Sequence, residues 1–346
     1  MANRIPLVEF EQRGLLPGSP EAWLRELGGP TLLHVAGRDS SRLRAVSTLL
    51  HGNEPSGLRA VHAWLRSGAE PAVDVLVFVG AVETALAEPL FSYRFLPGRR
   101  DLNRCFLPPF EAREGEVAGE LLERLRKAGP EAFVDLHNNS GHNPAYGVGS
   151  RAGTAELALA ALFGRRYVQS DLNLGAVVEA TAGDFPSITV ECGRAGDPAA
   201  DAVALAGLGA FLGKEQLQTE HDPERIELFI DAVRVSMRPG MRLAFGAGPA
   251  PGADLTMSAD VDRHNFDSLP PGTPIGWLGA TGAWPLCTRA RDGMEHSGEL
   301  FARRNGRLET RRPIVPIMMT TSPDAALADC LFYVVRPAAG LASLRR

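Results

Sequence analysis

The stretch 48–55 reads Thr-Leu-Leu-His-Gly-Asn-Glu-Pro, and it places an imidazole (His51) and a carboxylate (Glu54) where an apolar strand gives way to a helix. A second apolar run, 133–136, ends directly at His137. Ligands collect at the carboxyl ends of strands in an open α/β sheet, so we expect these side chains to meet. Two histidines and one glutamate can hold Zn2+ and leave its fourth position open for water. The pattern therefore predicts a hydrolytic metal site.

Around these residues, short apolar runs alternate with helix-like segments over roughly the first 215 residues. The strand-like runs are 31–37, 42–50, 73–82, 132–136 and 187–192. The helix-like segments are 55–67, 115–128, 153–164 and 198–213. The first and the last of these helices begin at a proline, which is favoured in a first turn. This alternation predicts an α/β layer architecture with a largely parallel or mixed sheet.

The composition changes at a polar, helix-breaking stretch, 218–223. Beyond it lie β-type runs separated by turns rich in proline and glycine, which is typical of a small β-rich domain. These runs are 226–237, 274–278, 313–319 and 331–335. We therefore expect a catalytic domain over residues 1–220 and a β-rich domain over residues 221–346.

Charge and composition narrow the classes of partner. The chain has 346 residues, of which 45% are hydrophobic, so it can bury a core. Its formal net charge is −5 and it has no long block of like charge, so we expect neither a nucleic acid nor a membrane surface as partner. A small-molecule substrate remains, and the sequence leaves homo-oligomerisation open.

Cysteine usage and hydropathy bear on the compartment. The four cysteines are far apart and form no Cys-x-x-Cys pair, so we expect free thiols in a reducing compartment. The first residues carry no apolar run typical of a signal peptide, and nowhere do eighteen apolar residues follow one another. A cytoplasmic location is the expectation.

Four short motifs follow one another in a fixed order. They are His-Gly-Asn-Glu at 51–54, Asp-Leu-Asn-Arg at 101–104, Asp-Leu-His-Asn at 135–138 and Val-Glu-Cys-Gly at 190–193. In this order and spacing the chain resembles the succinylglutamate desuccinylase/aspartoacylase family of zinc hydrolases, which are related to the metallocarboxypeptidases. The resemblance implies an α/β/α domain of metallocarboxypeptidase type with a mixed sheet, a smaller β-rich C-terminal domain, and one Zn2+ per chain.

The resemblance also implies residue roles at the centre. His51, Glu54 and His137 would be the zinc ligands, and Glu191 the general base and acid. General chemistry agrees, because a metal lowers the pKa of bound water toward about 7 and a nearby carboxylate can take its proton and deliver it to the leaving nitrogen. Asp135 or a backbone carbonyl can orient the imidazole of His137.

The resemblance assigns substrate binding to the second motif, Asp-Leu-Asn-Arg at 101–104. Asn103 and Arg104 correspond to the family's pair that holds the substrate carboxylate, a task that suits the guanidinium fork. A further family arginine, upstream of this motif, polarises the scissile carbonyl. Arg94, Arg99 and Arg100 are the candidates here, and Arg94 is preferred.

The chain departs from the family pattern at one place. Members that cleave N-acetylaspartate carry an arginine about ten residues before the catalytic glutamate, whereas this chain has Glu-Ala-Thr-Ala-Gly at 179–183. A second substrate carboxylate then has no cation, unless Arg303 or Arg304 supplies one. We therefore expect N-acyl derivatives of neutral amino acids to be better substrates than N-acetylaspartate or N-succinylglutamate.

Three functions fit these residues. The first is a zinc-dependent amidohydrolase that cleaves a small N-acyl amino acid or a similar carboxylate-bearing substrate. The second is a metallocarboxypeptidase acting on short peptides. The third is a non-catalytic protein that binds metal or senses a metabolite, which the retained Glu191 disfavours. Ligand type favours Zn2+, although Co2+ or Mn2+ can occupy such a site in vitro.

Overall fold

A computed structural model describes residues 5–10, 16–217 and 226–338. The backbone divides into two compact units. The first takes in the described residues up to Asn138, Ala145–Tyr167 and the described part of Asn173–Glu227. The second takes in Asn139–Pro144, Val168–Leu172 and the described residues from Leu228 onward. The expected boundary at residue 220 lies outside the described residues, so the division into domains 1–220 and 221–346 stays a prediction.

The first part of the chain alternates strands and helices. Its strands are β1 (Leu7–Glu9), β2 (Thr31–Val35), β3 (Asp39–Thr48), β4 (Val73–Val79), β5 (Phe133–Asn139), β6 (Tyr146–Gly149), β7 (Arg166–Gln169) and β8 (Ser187–Arg194). Its helices are α1 (Pro20–Leu27), α2 (Ser56–Arg66), α3 (Val82–Ala85), α4 (Ala112–Ala128), α5 (Thr154–Ala161), α6 (Val177–Thr181) and α7 (Pro198–Gly213). A 3₁₀ turn covers Leu102–Arg104.

The larger sheet is mixed. In the first unit its strands follow the order β1-β2-β4-β3-β5-β8-β6. The pairs β3–β4 and β3–β5 are parallel, whereas β2–β4 and β6–β8 are antiparallel. The α/β class with a mixed sheet, predicted from the alternation of elements, is confirmed.

Helices cover both faces of this sheet. Ala45 of β3 and Phe133 of β5 are buried in one cluster with Leu121 of α4. Successive side chains on a strand point to opposite faces, so Arg44 points away from α4. There its guanidinium donates to the carbonyl oxygen of Phe211 in α7. Helix α2 packs against α7, so these two helices form the second layer.

The second unit is rich in short strands. They are β9 (Glu227–Met237), β10 (Leu243–Gly246), β11 (Leu255–Ser258), β12 (Pro274–Leu278), β13 (Leu286–Arg289), β14 (Phe301–Arg304), β15 (Arg307–Thr310), β16 (Val315–Ile317) and β17 (Phe332–Pro337). Helices α8 (Ser297–Leu300) and α9 (Pro323–Ala328) lie among them. A smaller sheet has the order β10-β11-β12-β15-β14. Strand β9 pairs with β13 and β17, and β17 with β16.

Several sequence expectations can be compared with these bounds. The apolar run 42–50 becomes a strand that starts earlier, at Asp39, and ends at Thr48, so Leu49 and Leu50 lie beyond it. The run 313–319 shortens to Val315–Ile317. The four cysteines are free, as expected. Among the described residues, no helix has the length and apolar character needed to cross a bilayer.

Candidate metal centre

Two parallel strands bring the two motif histidines to one edge of the sheet. In the β3–β5 pairing, Thr48 lies beside Leu136, the residue before His137. Beyond Thr48, Leu49 has a positive φ of 58°, which turns the chain out of the strand toward His51. Because parallel neighbours end at the same sheet edge, the two imidazoles become neighbours.

The third candidate ligand comes from the start of α2. Glu54 immediately precedes Pro55, which caps that helix. Gly57, in its first turn, fits tightly, because a Cβ there would lie 2.3 Å from Thr48 Oγ1 and 2.6 Å from Leu136 Cβ. A side chain at residue 57 would therefore push α2, and Glu54 with it, away from the strand ends.

The three candidate ligands form one buried cluster. Glu54 Oε1 lies 2.8 Å from His51 Nδ1, and Glu54 Oε2 lies 2.7 Å from His137 Nδ1. The ligand atoms all lie within 4.8 Å of one another. The three residues are only 3%, 7% and 2% exposed for His51, Glu54 and His137, so their donor atoms are shielded from bulk water.

Each imidazole uses its second nitrogen in the same way. His51 Nε2 lies 3.1 Å from Asp101 Oδ1, and His137 Nε2 lies 2.6 Å from Asp135 Oδ2. Metal-binding histidines commonly donate their other ring N–H to a carboxylate, which fixes the tautomer and orients the ring. With both Nδ1 atoms facing Glu54, the donor set fits a tetrahedral Zn2+ that has three protein ligands.

The electrostatics of the cluster favour a cation. Burial alone would raise the pKa of the Glu54 carboxyl, but the imidazoles of His51 and His137 hold it well below its usual range. Burial alone would lower the pKa of His137, but Asp135 and Glu54 hold it well above. The carboxylates therefore favour positive charge between them, which a divalent cation provides.

Asp101 has a position that the sequence did not reveal. Its Oδ1 faces His51, while its Oδ2 accepts a hydrogen bond of 2.9 Å from Arg94 Nε. Burial alone would raise the pKa of Asp101, but His51 and Arg94 hold it well below its usual range. In the sequence, the one signal for this position is that Asp101 opens the Asp-Leu-Asn-Arg motif, two residues before Asn103.

The three candidate arginines separate in space. Arg94 Nη1 lies 3.7 Å from Glu54 Oε1, so it belongs to the cluster. Arg99 instead pairs with Glu83 and Glu114. Arg100 donates to the backbone carbonyl of Glu111. The geometry therefore places Arg94 at the centre and the other two along a neighbouring surface.

Glu191 lies on β8, the strand beside β5 in the sheet order. It is 7% exposed and stands opposite Tyr146 in the register of β6 and β8. Burial, followed by the charge of Glu54, raises the pKa of Glu191 to about 8. A carboxyl with a pKa near neutrality can both accept and deliver a proton.

The turn Leu102–Arg104 lies against the cluster. Asn103 Nδ2 is 3.4 Å from His137 Nε2, and Asn103 Oδ1 accepts a hydrogen bond of 3.0 Å from the backbone N–H of Val177. Arg104 donates to the carbonyl oxygen of Asn103 over 2.9 Å. The structure therefore brings the side chain of Asn103 next to a candidate ligand. It turns the guanidinium of Arg104 back onto the backbone of Asn103.

Glu179 opens the stretch 179–183, the place where the sequence differs from the pattern of the family that it resembles. Its Oε2 accepts hydrogen bonds from the backbone N–H groups of Leu174, Gly175 and Ala176, at 2.9, 2.7 and 3.1 Å. The carboxylate is thus used to hold the loop before α6. Arg303 lies on β14 of the second unit, where it is exposed.

Comparison with solved structures identifies the architecture. A succinylglutamate desuccinylase/aspartoacylase from Rhodobacter sphaeroides matches with a TM-score of 0.58 and 16% identity, over 88% of this chain and 88% of that one. The chain has the fold of that structure. Murine aminoacylase 3 matches with a TM-score of 0.52 and 19% identity, over 87% and 97% of the two chains.

A third match is a product-bound structure of the ectoine utilization protein EutE (DoeB) from Ruegeria pomeroyi, with a TM-score of 0.51 and 15% identity, over 90% of this chain and 88% of that one. No protein-family model and no curated protein matches the sequence. At these identities the likeness establishes the fold, and the chemistry is argued from the site itself.

Proposed function

We propose that this chain is a zinc-dependent amidohydrolase that cleaves the amide bond of a small N-acyl amino acid or a similar carboxylate-bearing substrate. The observation that carries the proposal is the buried cluster of His51, Glu54 and His137, whose ligand atoms lie within 4.8 Å of one another. The buried Glu191 on the strand beside His137 supports it. A metal ion that activates water, with an acid beside it that moves the proton, is able to hydrolyse an amide bond.

The residues would divide the chemistry as follows. A bound Zn2+ would polarise the scissile carbonyl and lower the pKa of its water. Glu191 accepts a proton from the attacking water and delivers it to the leaving nitrogen. Arg94, held by Asp101, donates hydrogen bonds to the carbonyl oxygen as negative charge develops there.

The carboxylate of the substrate would be bound by Asn103 and Arg104. Arg104 presents a guanidinium fork that can donate two parallel hydrogen bonds to one carboxylate. Glu179, the acid in the segment where some relatives have an arginine, is occupied with three backbone N–H groups. We therefore propose substrates with one carboxylate beside the scissile amide and a neutral side chain.

The decisive experiment is a liquid-chromatography screen of the zinc-loaded protein. The panel contains N-acyl derivatives of neutral amino acids, N-acetylaspartate, N-succinylglutamate, and di- and tripeptides with free C-termini. We expect the highest kcat/KM with a neutral N-acyl amino acid. A Glu191→Gln protein purified in parallel excludes a contaminating hydrolase.

Other results would redirect the proposal. Preference for the peptides would make the chain a carboxypeptidase of the same fold. Preference for a dicarboxylic amino-acid derivative would mean that an arginine outside the four motifs binds the extra carboxylate. Absence of turnover together with tight Zn2+ binding would favour a metal-binding or sensing protein.

A further inference from the structure

Three elements have one end beside the candidate metal centre, and each carries or adjoins one of the side chains assigned to it. Helix α2 begins just after Glu54, strand β5 carries His137, and strand β8 carries Glu191. Their side chains work together only if the three elements keep their relative positions. Asn138, the residue after His137, lies on β5 and forms hydrogen bonds to both α2 and β8.

The side chain of Asn138 bonds in two directions. Its Oδ1 accepts a hydrogen bond of 3.0 Å from the backbone N–H of Ser56, the first residue of α2. Its Nδ2 donates to Ser56 Oγ over 2.9 Å and to the carbonyl oxygen of Gly193 over 3.1 Å. Gly193 lies two residues after Glu191 on β8, and its φ of 122° belongs to the region that favours glycine.

The backbone of Asn138 completes the connection. Its N–H donates to Glu54 Oε2 over 3.1 Å, the same oxygen that faces His137 Nδ1. Asn138 is only 3% exposed, so bulk water has little access to these bonds and they are stronger than they would be at the surface. Ser56 is secured in turn, because its hydroxyl donates to Asp201 Oδ1 over 2.5 Å.

We infer that Asn138 is a positioning residue that fixes Glu54 and Glu191 relative to His137, and so sets metal affinity and the geometry of proton transfer. The inference rests on the proposed function. An amide is required because one side chain must accept from α2 and donate twice, to Ser56 Oγ and to β8. A carboxylate lacks the donors, and a hydroxyl has only one.

The test compares Asn138→Ala with Ser187→Ala as a matched control. Ser187 is also buried, lies at the other end of β8, and donates one hydrogen bond to the carbonyl oxygen of Phe185. Each purified protein is stripped of metal and titrated with Zn2+ against a chromophoric chelator. Co2+ absorption spectra, denaturation midpoints, kcat and KM are recorded for the same samples.

For Asn138→Ala we expect Zn2+ affinity to fall about 10-fold to 100-fold, the usual effect of removing an outer partner of a metal site. The Co2+ spectrum should change, and kcat should fall while KM stays near the wild-type value, because the side chain of Asn138 is occupied by Ser56 and Gly193. Ser187→Ala should lower the denaturation midpoint yet keep the wild-type Zn2+ affinity and Co2+ spectrum.

If Asn138→Ala gives no folded protein, Asn138→Ser takes its place, since a water molecule can fill the vacated space. Its single donor cannot reach both Ser56 and Gly193, so the same losses are expected. Wild-type Zn2+ affinity and Co2+ spectrum in the folded variant would overturn the positioning role alone. A wild-type protein that binds no Zn2+ would instead remove the proposed function, and this role with it.

Discussion

At the residue scale, each histidine of the candidate metal centre bonds to a carboxylate through the ring nitrogen that faces away from Glu54. Removing either imidazole leaves two protein ligands, so we expect His51→Ala and His137→Ala each to weaken Zn2+ binding by orders of magnitude. Elemental analysis of purified protein should find about one Zn2+ per wild-type chain.

The matched control is His62→Ala. His62 is also buried, but it bonds to the carbonyl oxygen of Pro17 and stands beside Trp23. This variant should lose stability and keep its zinc. Full zinc occupancy in both His51→Ala and His137→Ala would show that the cluster is not the metal site.

Proton transfer is a second residue-scale property. Replacing Glu191 by glutamine keeps the shape of the side chain and removes its ability to accept a proton. We expect kcat to fall roughly 100-fold or more, the scale for losing a positioned acid or base, with zinc content unchanged. Steady-state kinetics and elemental analysis on one preparation measure both.

Glu156→Gln serves as the comparison for that variant. Glu156 is 6% exposed in α5, so it is as buried as Glu191, but it lies outside the metal cluster. Its substitution should leave kcat near the wild-type value. Near wild-type turnover in Glu191→Gln would mean that another group moves the proton.

Local sequence was enough to propose some residues of the site and not others. His51 with Glu54, and Asp135 with His137, are close in the chain, so their types and spacing could be interpreted directly. Asp101 is 50 residues from His51, and only the folded chain brings the two side chains together. Arg94, Arg99 and Arg100 share one turn-rich segment, and their separation depends on tertiary partners such as Glu83 and Glu114.

At the scale of elements, the strands that were long as well as apolar could be predicted from the sequence, and several of the shortest strands could not. Strand β4 is almost wholly buried and apolar, so its composition marks it clearly. Strand β1 has three residues, all exposed, and β6 has only four. Such short strands are defined by pairing with a neighbour, which single-sequence patterns do not contain.

The β1–β2 edge also carries a pH-dependent contact between elements. His34 of β2 bonds to Glu9 of β1 over 2.6 Å and to Asp74 of β4 over 3.2 Å. Burial alone would lower the pKa of His34, but these two carboxylates raise it above its usual value. A raised folded-state pKa contributes stability that is fully present below about pH 6.5 and is lost as the pH rises through the folded value.

We therefore expect the stability advantage of the wild type over His34→Gln to be larger at pH 5.5 than at pH 9. Urea denaturation midpoints of both proteins at the two pH values measure it. Glu9→Gln should reduce the same difference, since Glu9 is one of the two partners that raise the pKa. An advantage that grows with pH would contradict the assignment.

At the scale of the whole molecule, the second unit takes in separate segments of the described chain. The segment Asn139–Pro144 starts at the last residue of β5 yet belongs to the second unit. There the backbone N–H of His142 donates to Asp262, and a Cβ on Gly141 would lie 2.0 Å from the carbonyl oxygen of Met319. A change of composition near residue 220 does not indicate that residues 139–144 belong to the second unit.

The two units have separate cores, and this makes the effect of metal on the whole molecule testable. The cluster around Leu121 and Phe133 lies in the first unit, and that around Leu255 and Leu308 in the second. The candidate ligands all belong to the first. Zn2+ at about 100 times its Kd should stabilise the unit that binds it by about 2.7 kcal/mol.

We expect amide hydrogen exchange to slow on zinc addition in β5 and β8, with β12 and β15 almost unchanged, because local stability follows the unit that holds the ligand. Mass spectrometry of peptides from protein with and without Zn2+ measures this, and His137→Ala should abolish the difference. Equal slowing in both units would mean that they unfold as one. No slowing in β5 or β8 would mean that the cluster at the ends of β3 and β5 does not bind the metal.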